Sequence, residues 1–276
     1  MKGLYKAVIL LLTLTCSGLS VAHVDVDLRV QHYDYLLNSQ TNDAHLYLKR
    51  GELHSDNRHW DLAWRDFQTA LKYTHDDKLR LDIWFYMGRM RLQSGMPDEA
   101  KTLLSKVIKL DPRYKSARLN LARTYSALEE YEQAVDEMDI FMSLLNRPTP
   151  DQFIERAMMA KSIESEGISK AIDGLNDGID RLGPMVSLID LLVDTYQELG
   201  ETQLALAAIE LLPDDVEALP RWQLRKGEIL HRLMRYGDAQ TAYQNGLNTI
   251  STMPAHRQSM PAVQALKNRL EGKLIY

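Results

Sequence analysis

The chain has 276 residues, 45% hydrophobic and 26% charged, which is ordinary globular composition and enough for a large core or an extended array. Its 14 glycines and 9 prolines are too few for a collagen-like or disordered chain. A formal charge of -5 argues against general nucleic-acid binding.

The first element reads as an export signal at 1–22. Lys2 and Lys6 precede an apolar run from Ala7 to Thr15, and Ser20-Val21-Ala22 offers small residues for a signal peptidase. Cleavage after Ala22 removes both lysines and no acid, taking the charge from -5 to -7. The run is short for a membrane span, so an uncleaved anchor is the alternative. Cys16 is the single cysteine and lies inside this segment. The mature chain is thus expected to lack thiols, disulfides and cysteine metal sites. Acylation of Cys16 is a further alternative, although Thr13-Leu14-Thr15 matches the lipoprotein pattern poorly. The expected location is periplasmic or secreted, or lipid-anchored at Cys16 in the alternative.

A leading helix is expected within 23–42, because Val26, Val30, Tyr33 and Leu37 follow helical spacing. "VDVDLRV" also alternates like a strand, but the helical spacing continues through Leu37.

A repeat follows. Gly51 and Ala63, Gly88 and Ala100, Ala122 and Ala134, and Gly227 and Ala239 are each twelve residues apart. Four residues after the second small residue comes a bulky one: Phe67, Leu104, Met138 or Tyr243. The periodicity is helical, so each unit reads as two antiparallel helices that approach closely where the small residues meet. In the unit around Gly88, Gly95 suits a left-handed cap and Pro97 a first helical turn with Asp98 and Glu99. Pro112 stops the second helix at Asp111.

These residues resemble the tetratricopeptide repeat (TPR), carried by Trp84, Met87, Gly88, Ala100, Leu104 and Pro112 in one unit. Leu121, Ala122, Tyr125, Ala134 and Phe141 carry it in the next, and Tyr47, Gly51, Ala63, Phe67 and Ala70 in the first. Two weaker units pair Ala160 with Ala171, one residue short, and Val193 with Ala205, whose second helix ends early at Pro213. The resemblance implies an all-α fold, a right-handed superhelical solenoid of antiparallel helix pairs. It divides the chain into three well-matched units at 43–147, three degenerate units at 148–254 and a C-terminal capping helix at 255–276. "NRPTPDQ" (146–152) is the Pro-rich junction between the halves.

No catalytic constellation is present: no G-x-S-x-G, H-E-x-x-H, phosphate loop or dinucleotide fingerprint. No enzyme activity, cofactor or metal is expected. His54 and His59 straddle the expected turn of the first unit, and packing is the favoured reading over a metal pair. His23, as a mature terminus before Asp25 and Asp27, is read as a frayed polar end rather than a copper chelate. Trp60 aligns with Tyr131 and Tyr236 of other units, which favours a structural wedge over ligand stacking for it and its neighbour Trp64. "GLNDG" (174–178) has a spacing that favours helix packing or a turn.

The resemblance implies a concave groove, lined by first helices, that binds a peptide or a partner helix. The residues directly after the first small residue are Glu52, Arg89, Arg123, Lys161, Asp194 and Glu228, with bases in the middle and acids at both ends. A peptide-binding groove of Phe85, Tyr86, Arg89, Asn120, Arg123 and Lys161 is expected to take an acidic partner segment through arginine forks and aromatic anchors. The competing expectation is a solvated face whose charges pair with nearby Glu and Asp. The lysine- and arginine-rich clamp by which some TPR domains hold a chaperone's C-terminal carboxylate is not reproduced, because Phe85, Arg89, Ile154 and Met158 occupy its positions. Function thus reads as a non-catalytic scaffold for a protein or peptide partner. A membrane-anchored envelope assembly factor and a histidine-based metal protein or enzyme are the alternatives.

Overall fold

The structure, a computed structural model, describes the backbone of residues 17–274 and the side chains of 27–274. The candidate signal residues 1–16, Cys16 included, lie outside the described residues. Among the described residues there are sixteen helices and no strands, and no helix is long and apolar enough to cross a membrane.

The chain divides into two compact units, Met1–Leu144 and Leu145–Tyr276. In the first, α1 (Ser17–Ser39) precedes three helix pairs. These are α2 (Ala44–Asp56) with α3 (Trp60–Tyr73), α4 (Asp77–Gln93) with α5 (Pro97–Leu110), and α6 (Lys115–Ala127) with α7 (Tyr131–Ser143). The backbone at "VDVDLRV" is helical, and α1 turns Leu37 inward against α2.

The second unit pairs α8 (Pro150–Lys161) with α9 (Gly167–Leu182) and α10 (Val186–Leu199) with α11 (Thr202–Ile209). After the single-turn α12 (Asp214–Glu217), α13 (Pro220–Arg232) pairs with α14 (Tyr236–Thr252). The single-turn α15 (Ala255–Gln258) leads into α16 (Pro261–Leu274), which packs on α14 through the fully buried Leu270.

The spacing of small and bulky residues has a direct packing cause. A Cβ placed on Gly51 would stand 2.7 Å from the Phe67 ring, one on Gly88 2.8 Å from Leu104, and one on Gly227 2.3 Å from Tyr243. Each bulky side chain of a second helix thus lies flat on the bare backbone of its own first helix. Ala63, Ala100, Ala122, Ala134 and Ala239 are buried at the same crossings. The same device serves "GLNDG", where Gly174 receives the Arg156 side chain and Gly178 the Phe153 ring, both from α8. Helix packing is therefore the role of that motif.

The turns share one geometry. The residue seven after the first small residue takes positive φ in five pairs: Arg58, Gly95, Glu129, Gly200 and Met234. Each of these turns is closed by an N–H donating to the carbonyl five residues back, as His59 to His54 at 2.8 Å and Met96 to Arg91 at 2.9 Å. This is the long bond of a Schellman cap. Gly95 and Gly200 adopt the left-handed region freely, whereas Arg58, Glu129 and Met234 pay for it in Cβ crowding.

The unit in which Ala160 and Ala171 stand eleven rather than twelve positions apart shows how a missing residue is accommodated. Its positive-φ residue is Glu166, six after Ala160, and α8 ends one residue after Ala160 where α2 and α4 run five past theirs. The chain then returns so tightly that a Cβ on Gly167 would lie 2.5 Å from the Ala160 carbonyl oxygen.

Candidate partner-binding surface

The expected groove residues of the first unit sit on two first helices, α4 and α6, which pack side by side. Tyr86 is half-buried at the α4 surface and stacks toward Phe67, with ring centroids 6.5 Å apart. The Arg89 guanidinium lies 4.9 Å from the centre of the Tyr86 ring. Arg89 Nη2 donates to Asp56 Oδ1 of α2 at 3.0 Å. Burial, and then Glu52, hold the Tyr86 phenol above its usual range, so it remains a hydrogen-bond donor. On α6, Arg123 is exposed, and Asn120 Nδ2 donates to the Ser116 carbonyl at 2.8 Å.

Phe85 does not belong to this surface. It is 7% exposed and packs with Ala100, Leu104 and Val107 of α5 and Ala117 and Leu121 of α6. Its ring also meets Tyr114 at 5.3 Å. Consecutive helical residues point about 100° apart, so with Tyr86 facing out Phe85 turns into the α5–α6 seam. Lys161 lies in the second unit, where its ammonium donates to Glu198 Oε1 at 2.7 Å.

The charges after each small residue are largely engaged by neighbouring helices. Arg89 meets Asp56, Lys161 meets Glu198, Asp194 meets Arg225, and Glu228 meets Arg269 and Lys273. Glu52 takes Lys49 of its own helix at 3.0 Å. Exposed pairs of this kind contribute about 0–1 kcal/mol each and exchange readily for an equivalent partner. A ligand carboxylate at Arg89 thus competes with Asp56, which is itself largely exposed.

The histidines flank a structural ion cluster. Arg50 holds Asp66 by two hydrogen bonds, 2.9 and 2.6 Å, and reaches Asp34 of α1 at 2.6 Å. His54 is buried beside them, with Nε2 3.8 Å from Asp66 and Nδ1 without a hydrogen-bond partner among the described residues. Burial lowers its pKa. Its ring lies 6.0 Å from that of His59. Among the described residues no group of three or more His, Cys, Asp or Glu is placed to hold a metal. Trp64 packs on the first core with Arg91 over its ring at 3.9 Å. Trp60 packs there too and lines a cavity of about 540 Å³ with Ser55, Asp56, Arg58, Gln93 and Ser94.

A second basic surface escaped the sequence reading. In the second unit, Arg221, Arg225 and Arg232 of α13 face Arg269 and Lys273 of α16 across Glu228. The signal was present in "RWQLRKGEILHR", where arginines at 221, 225 and 232 share one helical face. The residues after the small positions register only the acid there.

Comparison with known proteins bears on the architecture. A tetratricopeptide-repeat family profile matches residues 91–139. The structure resembles the C-terminal part of a TPR repeat-containing protein from Cytophaga hutchinsonii, with TM-score 0.64 and 16% identity over 83% of this chain and 92% of that one. It also resembles a tetratricopeptide repeat protein from Parabacteroides merdae, with TM-score 0.52 and 14% identity over 91% and 94% of the two chains. No curated protein matches the sequence. Profile, helix pairing and structural likeness agree on one architecture: the protein has the all-α solenoid fold of TPR proteins.

Proposed function

We propose that the protein is a non-catalytic scaffold that binds a protein partner through the first-helix surface of α4 and α6. The observation that carries this reading is the Tyr86–Arg89 pair, a half-buried ring under a guanidinium with Arg123 and Asn120 on the adjoining first helix. Such a surface combines an aromatic anchor with directional charge-assisted donors, which suits an acidic partner segment. The TPR-type fold supports a protein-interaction role in general. The 1–22 segment supports export to the periplasm or beyond, with retention at the membrane through Cys16 or an uncleaved signal as the second reading.

The test places a photo-crosslinking residue at Tyr86 in living cells and compares the captured partner with that of the Arg89→Glu/Arg123→Glu variant. One crosslinked species that disappears on charge reversal, with the helical spectrum intact, supports the surface. An unchanged crosslink pattern removes it. The mass of the mature N-terminus separates a chain starting at His23 from one bearing lipid on Cys16.

A further inference from the structure

Two adjoining cavities, of about 380 and 300 Å³, lie on α13 and α16, the larger also bordered by α14 and the smaller by α10, and share Glu228 and Arg232. Arg221, Arg225 and Arg269 line the smaller, Lys273 lines the larger, and Arg232 lines both. Only two carboxylates, Asp194 and Glu228, stand among these five cations. Asp190 adds a third by holding Arg221 at 2.9 Å and Arg225. Glu228 is divided between Arg269 at 3.5 Å and Lys273 at 3.4 Å, both loose pairs. Arg232 is exposed and pairs with no carboxylate among the described residues. In a chain of formal charge -5, this corner carries a local surplus of positive charge.

A second observation points the same way. Tyr243 is 1% exposed and borders the larger cavity, and its hydroxyl has no hydrogen-bond partner among the described residues. Buried hydroxyls in proteins are normally satisfied. Burial and the nearby Glu228 hold this phenol above its usual range, so it is a donor waiting for an acceptor. The smaller cavity also has apolar wall, from Leu224 and Leu266.

We propose that this cradle docks an acidic segment of a protein partner, whose carboxylates pair with Arg232 and accept from the Tyr243 hydroxyl. Two adjoining cavities, the smaller with leucine as well as arginine in its wall, suit an extended chain that carries both acidic and apolar side chains. A compact ion would leave the leucine wall unused. Because α16 supplies Arg269 and Lys273, an occupied cradle also stabilises the docking of that helix by linkage. The inference rests on the protein-binding reading, but not on the α4–α6 surface.

The experiment is fluorescence anisotropy of a labelled peptide of alternating glutamate and leucine, titrated with the full chain. The comparison set is Arg232→Glu, Arg232→Gln, Tyr243→Phe and Arg89→Glu/Arg123→Glu, each checked for native helicity and melting. Loss of a close charge pair predicts roughly tenfold weaker binding in Arg232→Glu, and loss of a single hydrogen bond about threefold in Tyr243→Phe. Binding falls with added salt, and the Arg89/Arg123 variant binds like the parent. No binding by the parent, or equal binding by both Arg232 variants, overturns the proposal. So does displacement by inorganic phosphate as effective as displacement by unlabelled peptide. Binding lost only in the Arg89/Arg123 variant also overturns it, while leaving the α4–α6 surface standing.

Discussion

The Tyr243 ring occupies the space into which a side chain on Gly227 would project, 2.3 Å from the position of its Cβ. Sixteen residues of sequence separate the two, and the equivalent pairs Gly51–Phe67 and Gly88–Leu104 repeat the relationship. Gly227→Ala therefore overpacks a crossing whose ring is fully buried, and costs about 2 to 3 kcal/mol. Gly227→Ala combined with Tyr243→Leu recovers part of that loss, because the smaller side chain makes room. Urea denaturation of the single and double variants measures the coupling.

Left-handed turn residues give predictions of opposite sign at equivalent positions. Glu129 at φ 61 and Met234 at φ 59 are strained by their Cβ atoms. Glu129→Gly and Met234→Gly each relieve that strain against the extra entropy of an unfolded glycine, for a net gain of about 0.5 kcal/mol. Gly95→Ala at φ 77 destabilises by about 1 kcal/mol, although nothing stands within 4 Å of the added methyl. Thermal melts of the three variants decide whether backbone conformation alone sets the sign.

His54 makes the stability of the first unit depend on acidity. Burial holds its folded-state pKa below the ordinary 6.5, while Arg50 and His59 repel the added proton and Asp66 and Asp34 attract it. The unfolded chain therefore takes up a proton more readily than the folded one. His54 costs no stability above pH 6.5, and stability falls as the pH drops from 6.5 toward the lowered folded value. His54→Gln flattens the stability profile in that window and leaves the neutral-pH profile parallel to the parent. An unchanged slope in the variant would assign the acid sensitivity to other groups.

Leu270 fastens the last helix. It is fully buried, and its methyl groups lie 3.1 and 3.2 Å from where a Cβ on Gly246 would stand. Leu270→Ala removes that anchor at a cost of about 2 to 4 kcal/mol. Limited proteolysis should then cut within 255–274 before any other described segment.

Much of the scaffold was legible because close packing leaves a mark at fixed spacing. A glycine or alanine, then a small residue, then a bulky one reports a helix crossing without any knowledge of neighbours. The surface was harder to read. Phe85 and Tyr86 are adjacent aromatics on one helix, and which of them faces outward depends on where α5 and α6 lie. The row of charges posed the same difficulty. Arg89 finds Asp56 33 residues away and Lys161 finds Glu198 37 residues away, distances over which sequence spacing gives no register. The α13–α16 cradle escaped for that reason too, since Arg269 stands 41 residues beyond the Glu228 that it meets.

The irregular turn between Ala160 and Ala171 bears on how such a chain can change length. Removing one residue from the interior of a helix would rotate every later side chain by about 100° and break the small-on-bulky crossings. Here the loss of a residue coincides with an early end to α8, a left-handed Glu166 and a close return at Gly167. The two helices still cross closely, with Phe153 of α8 on Gly178 of α9. Insertions and deletions are therefore tolerable at the bends and lethal to packing within the helices. Loop grafts and affinity tags that must leave the fold intact belong at Arg58, Glu129 and Met234.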